Sequence, residues 1–210
     1  MKLAELSLKK FLVSLSGDSP APGGGSVSAL AGALSAALCA MVARLTLGKK
    51  KYRDAWKEME RLRDRADSLS SRLMELVEED SAAYNKVVAA FRIPKEDKKA
   101  REEAIQSAFK EAASVPMETL RAVGGLVDLV KTALDQGNPN CLTDAGVSVQ
   151  LVRAAANGAA YNVRINLPGI KDQGFNSKLA SETLELLARI EGSLKEMERV
   201  VTDRLKRDEA

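Results

Sequence analysis

Several groups of residues in this 210-residue sequence have types and spacing that could do chemistry. The first is a run of three glycines, Gly23, Gly24 and Gly25, followed by Ser26. Glycines let a backbone approach a ligand closely, and the amides that open a helix favour anions and carbonyl oxygens. The spacing does not fit a Walker motif or a dinucleotide fingerprint. We predict a ligand-binding loop here, and the alternative is a tight turn between helices with Ser26 near the N-cap.

A lysine cluster follows the next helical segment. Gly48 is predicted to lie just beyond the end of that helix, and the next three residues are Lys49, Lys50 and Lys51. Lysines near the carboxyl end of a helix complement its dipole, and a run of charges is usually only solvated. The functional alternative is an anion site for a carboxylate or phosphate of a ligand.

Asp80 departs from the pattern of the helix that carries it. Apolar residues between Arg53 and Phe91 recur in steps of four and three, which predicts one buried stripe on an amphipathic helix. The same steps place Asp80 on that stripe. Burial makes a carboxylate costly and raises its pKa toward neutrality, where it could transfer protons. Asp80 is therefore a catalytic candidate; the alternative is that it pairs with a cation or caps a neighbouring helix.

The densest set of polar side chains lies in the last third of the chain. Asn138 is predicted to cap a helix that begins at Pro139 and runs to about Leu167. Steps of three and four along it bring polar and small residues to one face. The polar ones are Asn140, Asp144, Ser148, Asn162 and Asn166. This face is predicted either to orient a ligand or to form a polar network between helices, for example at a dimer seam.

The composition argues against several kinds of site and partner. The chain has no histidine, the commonest metal ligand and general base, so we expect no metal site. A net charge of +3, from 32 basic and 29 acidic residues, predicts no nucleic-acid partner. The two cysteines, Cys39 and Cys141, lie far apart in apolar surroundings, which is typical of a reduced, cytoplasmic protein.

The tract from Ser19 to Ala43 carries no charge. By length it could cross a membrane, but much of it is alanine, serine and glycine, which partition weakly into lipid. We therefore predict a buried central helix from Ser26 to Leu47 and no membrane partner. Small residues that recur every four positions would let neighbouring helices approach it closely; they are Ser28, Gly32, Ala36 and Ala40.

Helical patterns also dominate the rest of the chain. A short amphipathic helix is predicted before Gly17, and the long helix is expected to end at Pro94. Pro116 should kink or restart the helix that follows, and Gly137 should cap the next one. The last amphipathic helix is predicted from about Asn176 to Arg207.

These elements predict a single all-α domain over residues 1–210. It is expected to be a helical bundle of six or seven helices, with a long central helix and a glycine-rich loop before the buried small-residue helix. The apolar stripes are longer than one core can cover, so a homodimer is expected.

Four segments of the chain together resemble the cyclodeaminase domain of formiminotransferase-cyclodeaminase and its stand-alone relatives. They are "PAPGGGSVSALAGALSAALCAMVARLTLGKKKY", "EDSAAYNKVVAAF", "KEAASVPMETL" and "GNPNCLTDAGVSVQLVRAAANGAAYNVRINL". The resemblance covers nearly the whole chain and implies an all-helical, dimeric enzyme of folate one-carbon metabolism. Such an enzyme converts formimino-tetrahydrofolate to methenyl-tetrahydrofolate and releases ammonia. The alternatives are a methenyltetrahydrofolate cyclohydrolase, which adds water instead, and a non-catalytic helical assembly or folate-binding protein.

The resemblance also implies roles for the candidate residues. Asp80 and Asp144 are expected to transfer protons, and Lys49 and Lys50 to meet the glutamate carboxylates of the substrate. No cofactor is expected beyond the tetrahydrofolate derivative itself, which can carry several glutamates. The residues expected to contact the rest of the substrate are Gly23, Gly24, Gly25, Ser26, Tyr84, Asn138, Asn140, Asn162 and Asn166.

Overall fold

A computed structural model describes residues 2–208 of the chain. In this range it forms seven α-helices and four short 3₁₀ helices, with no strand, which confirms the predicted all-α class. The predicted domain also includes Met1, Glu209 and Ala210, which lie outside the described residues. The α-helices are α1 (Leu8–Leu15), α2 (Gly24–Thr46), α3 (Trp56–Arg92), α4 (Lys98–Gly124), α5 (Leu126–Gln136), α6 (Leu142–Asn166) and α7 (Gln173–Asp208). The 3₁₀ helices are Leu3–Glu5, Lys50–Ala55, Pro139–Cys141 and Leu167–Gly169.

Helix α2 lies at the centre of the fold, as predicted from its small residues. It packs against α3, α4, α5 and α6, and its four-residue row from Ser28 to Ala40 is buried. A Cβ added at Gly32 would lie 3.1 Å from a methyl carbon of Val123 and 3.2 Å from one of Leu73. The absence of a side chain there therefore lets α3 and α4 approach α2 together.

By length and composition alone α2 could cross a membrane, and 61% of its most apolar stretch is buried inside the fold. Its remaining residues form an outward face that carries Val27, Leu34 and Leu45, all of them exposed.

Helix α6 runs antiparallel to α2. A Cβ added at Gly24 would approach Asn162, one added at Gly158 would overlap the Ser28 hydroxyl, and Ser35 lies against Ser148. Residue numbers thus rise on α2 as they fall on α6. The two hydroxyls of the Ser35–Ser148 pair are 2.6 Å apart, and each also bonds to the other residue's carbonyl oxygen.

Helix α3 has the predicted buried stripe, and it begins at Trp56 rather than at Arg53 because a 3₁₀ helix occupies Lys50–Ala55. The buried residues of the stripe are Met59, Leu62, Ala66, Leu73, Leu76 and Ala83. Asp80 lies between the last two and is half-buried.

The helix does not restart at Pro116, and the predicted start of the central helix is wrong. Pro116 lies inside α4, which continues to Gly124, and the break comes at Gly125. Val115, Pro116 and Met117 are all buried, so burial in the core offsets the cost of a proline in mid-helix. The central helix begins at Gly24, with Gly23 as its N-cap, rather than at Ser26. The glycines thus form its cap and first turn.

Three predicted caps are confirmed. Gly48 follows α2 with a φ of +77°, in the left-handed region that favours glycine. The Asn138 side chain caps the turn that begins at Pro139 by accepting from the Asn140 amide. Gly137 ends α5 with extended backbone, and its Cβ would lie 2.5 Å from a methyl carbon of Val42. Gly137 is therefore needed for close packing rather than for its φ angle.

Candidate functional site

The Asp80 carboxyl lies against the first turn of α2. The Ser26 hydroxyl donates to Asp80 Oδ2 at 2.8 Å, and the backbone of Ser26 also favours the ionised form of this carboxyl. A Cβ at Gly25 would lie 2.5 Å from the carboxyl carbon of Asp80. Only glycine at position 25 leaves room for the carboxyl at this place.

Burial raises the pKa of Asp80, because a charged carboxylate loses hydration in this position. The hydroxyl and the backbone of Ser26 lower it, but by less than burial raises it. The direction expected from the buried stripe is confirmed. The contact with the first turn of α2 fits the structural alternative, in which Asp80 caps a neighbouring helix, and the catalytic role stays a prediction.

Helix α6 supplies the other side of this region. A Cβ at Gly24 would lie 3.3 Å from Asn162 Nδ2, and that nitrogen donates to the Gly158 carbonyl at 2.8 Å. One turn later, Asn166 Nδ2 donates to the carbonyls of Asn162 and Ala112. Because these side-chain amides already donate to carbonyls, their Oδ1 atoms are the groups that can accept from a ligand.

Tyr84 follows Asp80 by one helical turn and is 38% exposed. The spacing puts both on one side of α3. We refer to Gly24, Gly25, Ser26, Asp80 and Asn162 as the Asp80 cluster, and Tyr84 and Asn166 lie one turn from its members.

The other predicted residues lie at the opposite end of α2. Asn138 is 4% exposed. Its amide accepts a hydrogen bond from the Tyr52 hydroxyl at 2.9 Å and donates to the Leu45 carbonyl at 3.3 Å. The Asn138 backbone N–H bonds to the Thr46 hydroxyl. Asn138 therefore fastens the end of α2 to the start of α6, and its side chain is already used for that purpose.

Lys49, Lys50 and Asn140 are exposed at this same end. The pKa of Cys141 is raised by burial and by the charge of Asp144, and Lys49 lowers it. Both charged groups thus lie near this thiol. We call Lys49, Lys50, Asn138, Asn140 and Asp144 the lysine cluster.

The two clusters are far apart in one chain. Ser26 and Thr46 are 20 residues apart on one helix, which corresponds to about 30 Å at 1.5 Å per residue. Asp144 precedes Ser148 by one turn on the antiparallel α6, so it lies toward the Thr46 end. Within one chain Asp80 and Asp144 therefore do not meet, and the prediction that both act at one site requires two chains, an arrangement that the sequence left open.

One contact at the Asp80 cluster was missed from the sequence. The Ser26 hydroxyl lies 3.2 Å from the Ser81 hydroxyl and 3.1 Å from the Val77 carbonyl. Nothing in the spacing singled out Ser81, apart from its place directly after Asp80. Among residues 2–208 no group of three Cys, Asp or Glu side chains is arranged to hold a metal ion.

Comparison with known proteins places this geometry in a family. Residues 7–185 match the family described as formiminotransferase-cyclodeaminase. The chain is 36% identical over 193 residues to a methenyltetrahydrofolate cyclohydrolase of Methylorubrum extorquens, covering 90% of this chain and 92% of that one. It is 32% identical over 188 residues to the formimidoyltransferase-cyclodeaminase of Rattus norvegicus, covering 88% of this chain but 35% of the rat protein.

A solved structure agrees with these sequence matches. The crystal structure of formiminotetrahydrofolate cyclodeaminase from Thermotoga maritima superposes with a TM-score of 0.90 at 33% identity, covering 97% of this chain and 100% of that one. The fold, the matched residues and the relatives agree, and the chain belongs to the formiminotransferase-cyclodeaminase family.

Proposed function

We propose that the protein is a formimidoyltetrahydrofolate cyclodeaminase, which forms methenyl-tetrahydrofolate and ammonia. The observation that carries the proposal is the Asp80 carboxyl, half-buried with a raised pKa against the glycine turn of α2. Such a carboxyl can accept and return a proton near neutral pH. The names of the relatives support the substrate class.

The chemistry needs one proton to change places. The formimino group is a basic amidine and reacts in its protonated form, –CH=NH2⁺. The N10 nitrogen of tetrahydrofolate attacks its carbon, and a C–N10 bond forms while the C=N bond becomes single. The N10 proton then moves to the departing nitrogen, whose bond to carbon breaks, and ammonia leaves with the electron pair, so that the positive charge remains on the methenyl product. Asp80 takes the proton from N10 and returns it to the leaving nitrogen. One carboxyl that takes the proton and then returns it serves both steps, so a second acid in the same chain is not required.

Methenyltetrahydrofolate cyclohydrolase is the second candidate. The specific observation in its favour is the 36% identity to the Methylorubrum cyclohydrolase over nearly the full length of both chains. In that reaction Asp80 takes a proton from the water that attacks the same bridging carbon. The two reactions differ in what enters or leaves at this carbon, and the same carboxyl serves both.

The pterin and the one-carbon bridge are assigned to the Asp80 cluster in this proposal. In this proposal the amide of Gly24 and the Oδ1 of Asn162 meet polar edges of the flat ligand, and the proximity of Gly24 to Asn162 and the exposed ring of Tyr84 support the assignment. The glutamate carboxylates require cations, and the exposed Lys49 and Lys50 lie at the far end of α2. The two clusters are about 30 Å apart in one chain, so we infer that a folate meets the Asp80 cluster of one chain and the lysines of another.

A homodimer meets this requirement. The outward faces of α2 and α6 carry exposed apolar residues along their whole length, among them Leu34 at 50% exposed and Ile165 at 74%. On α2 the exposed apolar residues are spaced by seven and eleven residues, which puts them on one side of the helix. The members of the face are Val27, Leu34 and Leu45 on α2 and Val147, Tyr161 and Ile165 on α6.

A twofold axis across this face would pair the two copies in antiparallel fashion. The start of α2 in one copy then lies beside the end of α2 in the other. Asp80 of one chain and the Lys49–Asp144 region of the other form one composite site, and the dimer contains two such sites. In this arrangement Asp144 returns to the site from the second copy.

The methenyl chromophore tests the function. Purified protein mixed with formimino-tetrahydrofolate is expected to raise the methenyl absorbance above a no-enzyme control and to release ammonia in equal amount. A cyclohydrolase would instead speed the loss of absorbance from methenyl-tetrahydrofolate and would leave the formimino compound unchanged. Activity in neither assay contradicts both assignments.

Asp80→Asn should separate activity from stability. Removing the proton-transfer group lowers kcat by about 100- to 10,000-fold. A carboxyl whose pKa is raised by folding stabilises the protein while protonated, and this contribution is lost as pH rises through its folded pKa. The melting temperature of the variant, relative to that of the wild type, should therefore rise as pH increases through the folded pKa of Asp80. The control is Asp67→Asn, which removes an exposed carboxylate of α3 that pairs with Arg44 of α2 and should leave turnover unchanged. Equal loss in both variants argues against Asp80 as the proton-transfer group.

Gly25→Ala should displace the carboxyl without unfolding the chain. The added methyl would overlap the Asp80 carboxyl, and the carboxyl can rotate away because it is the end of a side chain. Activity is expected to fall as it does for Asp80→Asn, while circular dichroism and melting remain close to wild type. The control is Gly192→Ala on α7, where nothing lies within 4 Å of the added carbon. Full activity of Gly25→Ala would show that the position of the carboxyl is unimportant.

Leu34→Glu tests the dimer. A charge in the centre of the exposed face of α2 should convert a dimer to a helical monomer in sedimentation velocity and abolish turnover at the same time. Leu184→Glu on α7, where the leucine is 61% exposed outside this face, should leave the protein dimeric and active. A wild-type protein that sediments as a monomer contradicts the composite site.

A further inference from the structure

The Ser26 hydroxyl has more partners than a helix cap needs. It lies 2.8 Å from Asp80 Oδ2, 3.1 Å from the Val77 carbonyl oxygen and 3.2 Å from the Ser81 hydroxyl. A hydroxyl has one hydrogen and can donate to only one of these groups at a time. Ser26 itself is fully buried, so its hydroxyl can bond only to these protein groups and not to bulk water.

The arrangement satisfies both protonation states of Asp80. When the carboxyl is ionised, Ser26 donates to Oδ2 and can accept from the Ser81 hydroxyl. When the carboxyl is protonated, its O–H can donate to Ser26, and the Ser26 hydrogen can turn to the Val77 carbonyl. In each state every hydroxyl hydrogen of the group has an acceptor. A structural N-cap stabilises only the accepting, ionised form of a carboxylate, so the extra partners have no use in capping alone.

We propose that Ser26 is a positioning residue that holds Asp80 in place in both of its protonation states, with Ser81 acting through Ser26. This inference rests on the proposed role of Asp80 in proton transfer and adds the group that lets the carboxyl change state without moving. Such stability of position matters because a general acid or base must stay within hydrogen-bond reach of the reacting atom as the proton moves.

Other charged groups around Asp80 are already paired or distant. Helix α2 carries no charge between Gly24 and Ala43. On α3 the neighbouring Glu79 pairs with Arg72, and Glu78 accepts from the Ala4 amide. Between α3 and α4, Lys86 pairs with Glu111. Among the described residues only Ser26, together with burial, shifts the pKa of Asp80, so a change in its titration reports directly on Ser26.

The test combines turnover with a titration that needs no activity. The Asp80 carboxyl carbon is followed by ¹³C NMR against pH in the wild type, Ser26→Ala, Ser81→Ala and the double variant, and is assigned by its loss in Asp80→Asn. A charge-assisted hydrogen bond is stronger than a neutral one, so removing the Ser26 hydroxyl should move the titration to higher pH. In the same variant kcat should fall about tenfold or more, with KM little changed and the acidic limb of the pH profile shifted upward.

Ser81→Ala and the double variant test the order of the contacts. Ser81→Ala should shift the titration in the same direction as Ser26→Ala, but by less. Because Ser81 is only half-buried, this variant is expected to fold. Because Ser81 acts through Ser26, the double variant should match Ser26→Ala in both kcat and titration. Additive losses would contradict this order. Ser70→Ala, which removes another hydroxyl contact between α3 and α2, is the control and should behave as wild type.

The outcomes separate this inference from the proposed function. An unchanged titration and pH profile in Ser26→Ala overturns the inference, since Ser26 would then only join α2 to α3. A shifted titration in a protein that turns over neither folate substrate supports the control of Asp80 by Ser26 and contradicts the folate assignment instead.

Discussion

The close approach of α2 to its neighbours is the constraint on which the rest of the structure depends. A helix can be surrounded this closely only if the residues it turns inward are small, and the buried row of α2 contains serine, glycine and alanine. Gly32 admits side chains of α3 and α4 at one point. In the same way, the absence of a side chain at Gly25 leaves space that the Asp80 carboxyl occupies. The Asp80 cluster is therefore built by the same close packing that forms the core.

The electrostatics of Asp80 follow from that packing. The first turn of a helix has free amides that favour a negative charge, whereas loss of hydration opposes it. At Asp80 the second effect is larger. An exposed aspartate at the same helix end would be a permanent anion and a good cap, and it would be a poor proton carrier at neutral pH. Partial burial thus turns a common structural contact into a group suited to acid–base chemistry.

The sequence predicted well what depends on local spacing. The steps of four and three located Asp80 and its raised pKa, and glycine, asparagine and proline marked the caps at Gly48, Asn138 and Gly137 correctly. It could not predict what depends on the direction of packed helices. Spacing alone did not show that the length of α2 separates Asp80 from Asp144 within one chain. Pro116 was predicted to kink or restart its helix, and the helix continues through it. The contact of Ser81 with Ser26 has no periodic signal at all.

The separation of the two clusters along α2 has a genetic consequence. In the proposed twofold pair, each composite site would take Asp80 from one chain and the lysines from the other. A chain altered at Asp80 and a chain altered at Lys49 are then each defective when they pair with themselves. Mixed with one another, they form a dimer in which one site carries both defects and the other carries neither. Two inactive alleles would then complement each other, because the length of α2 keeps the two clusters of one chain in different sites.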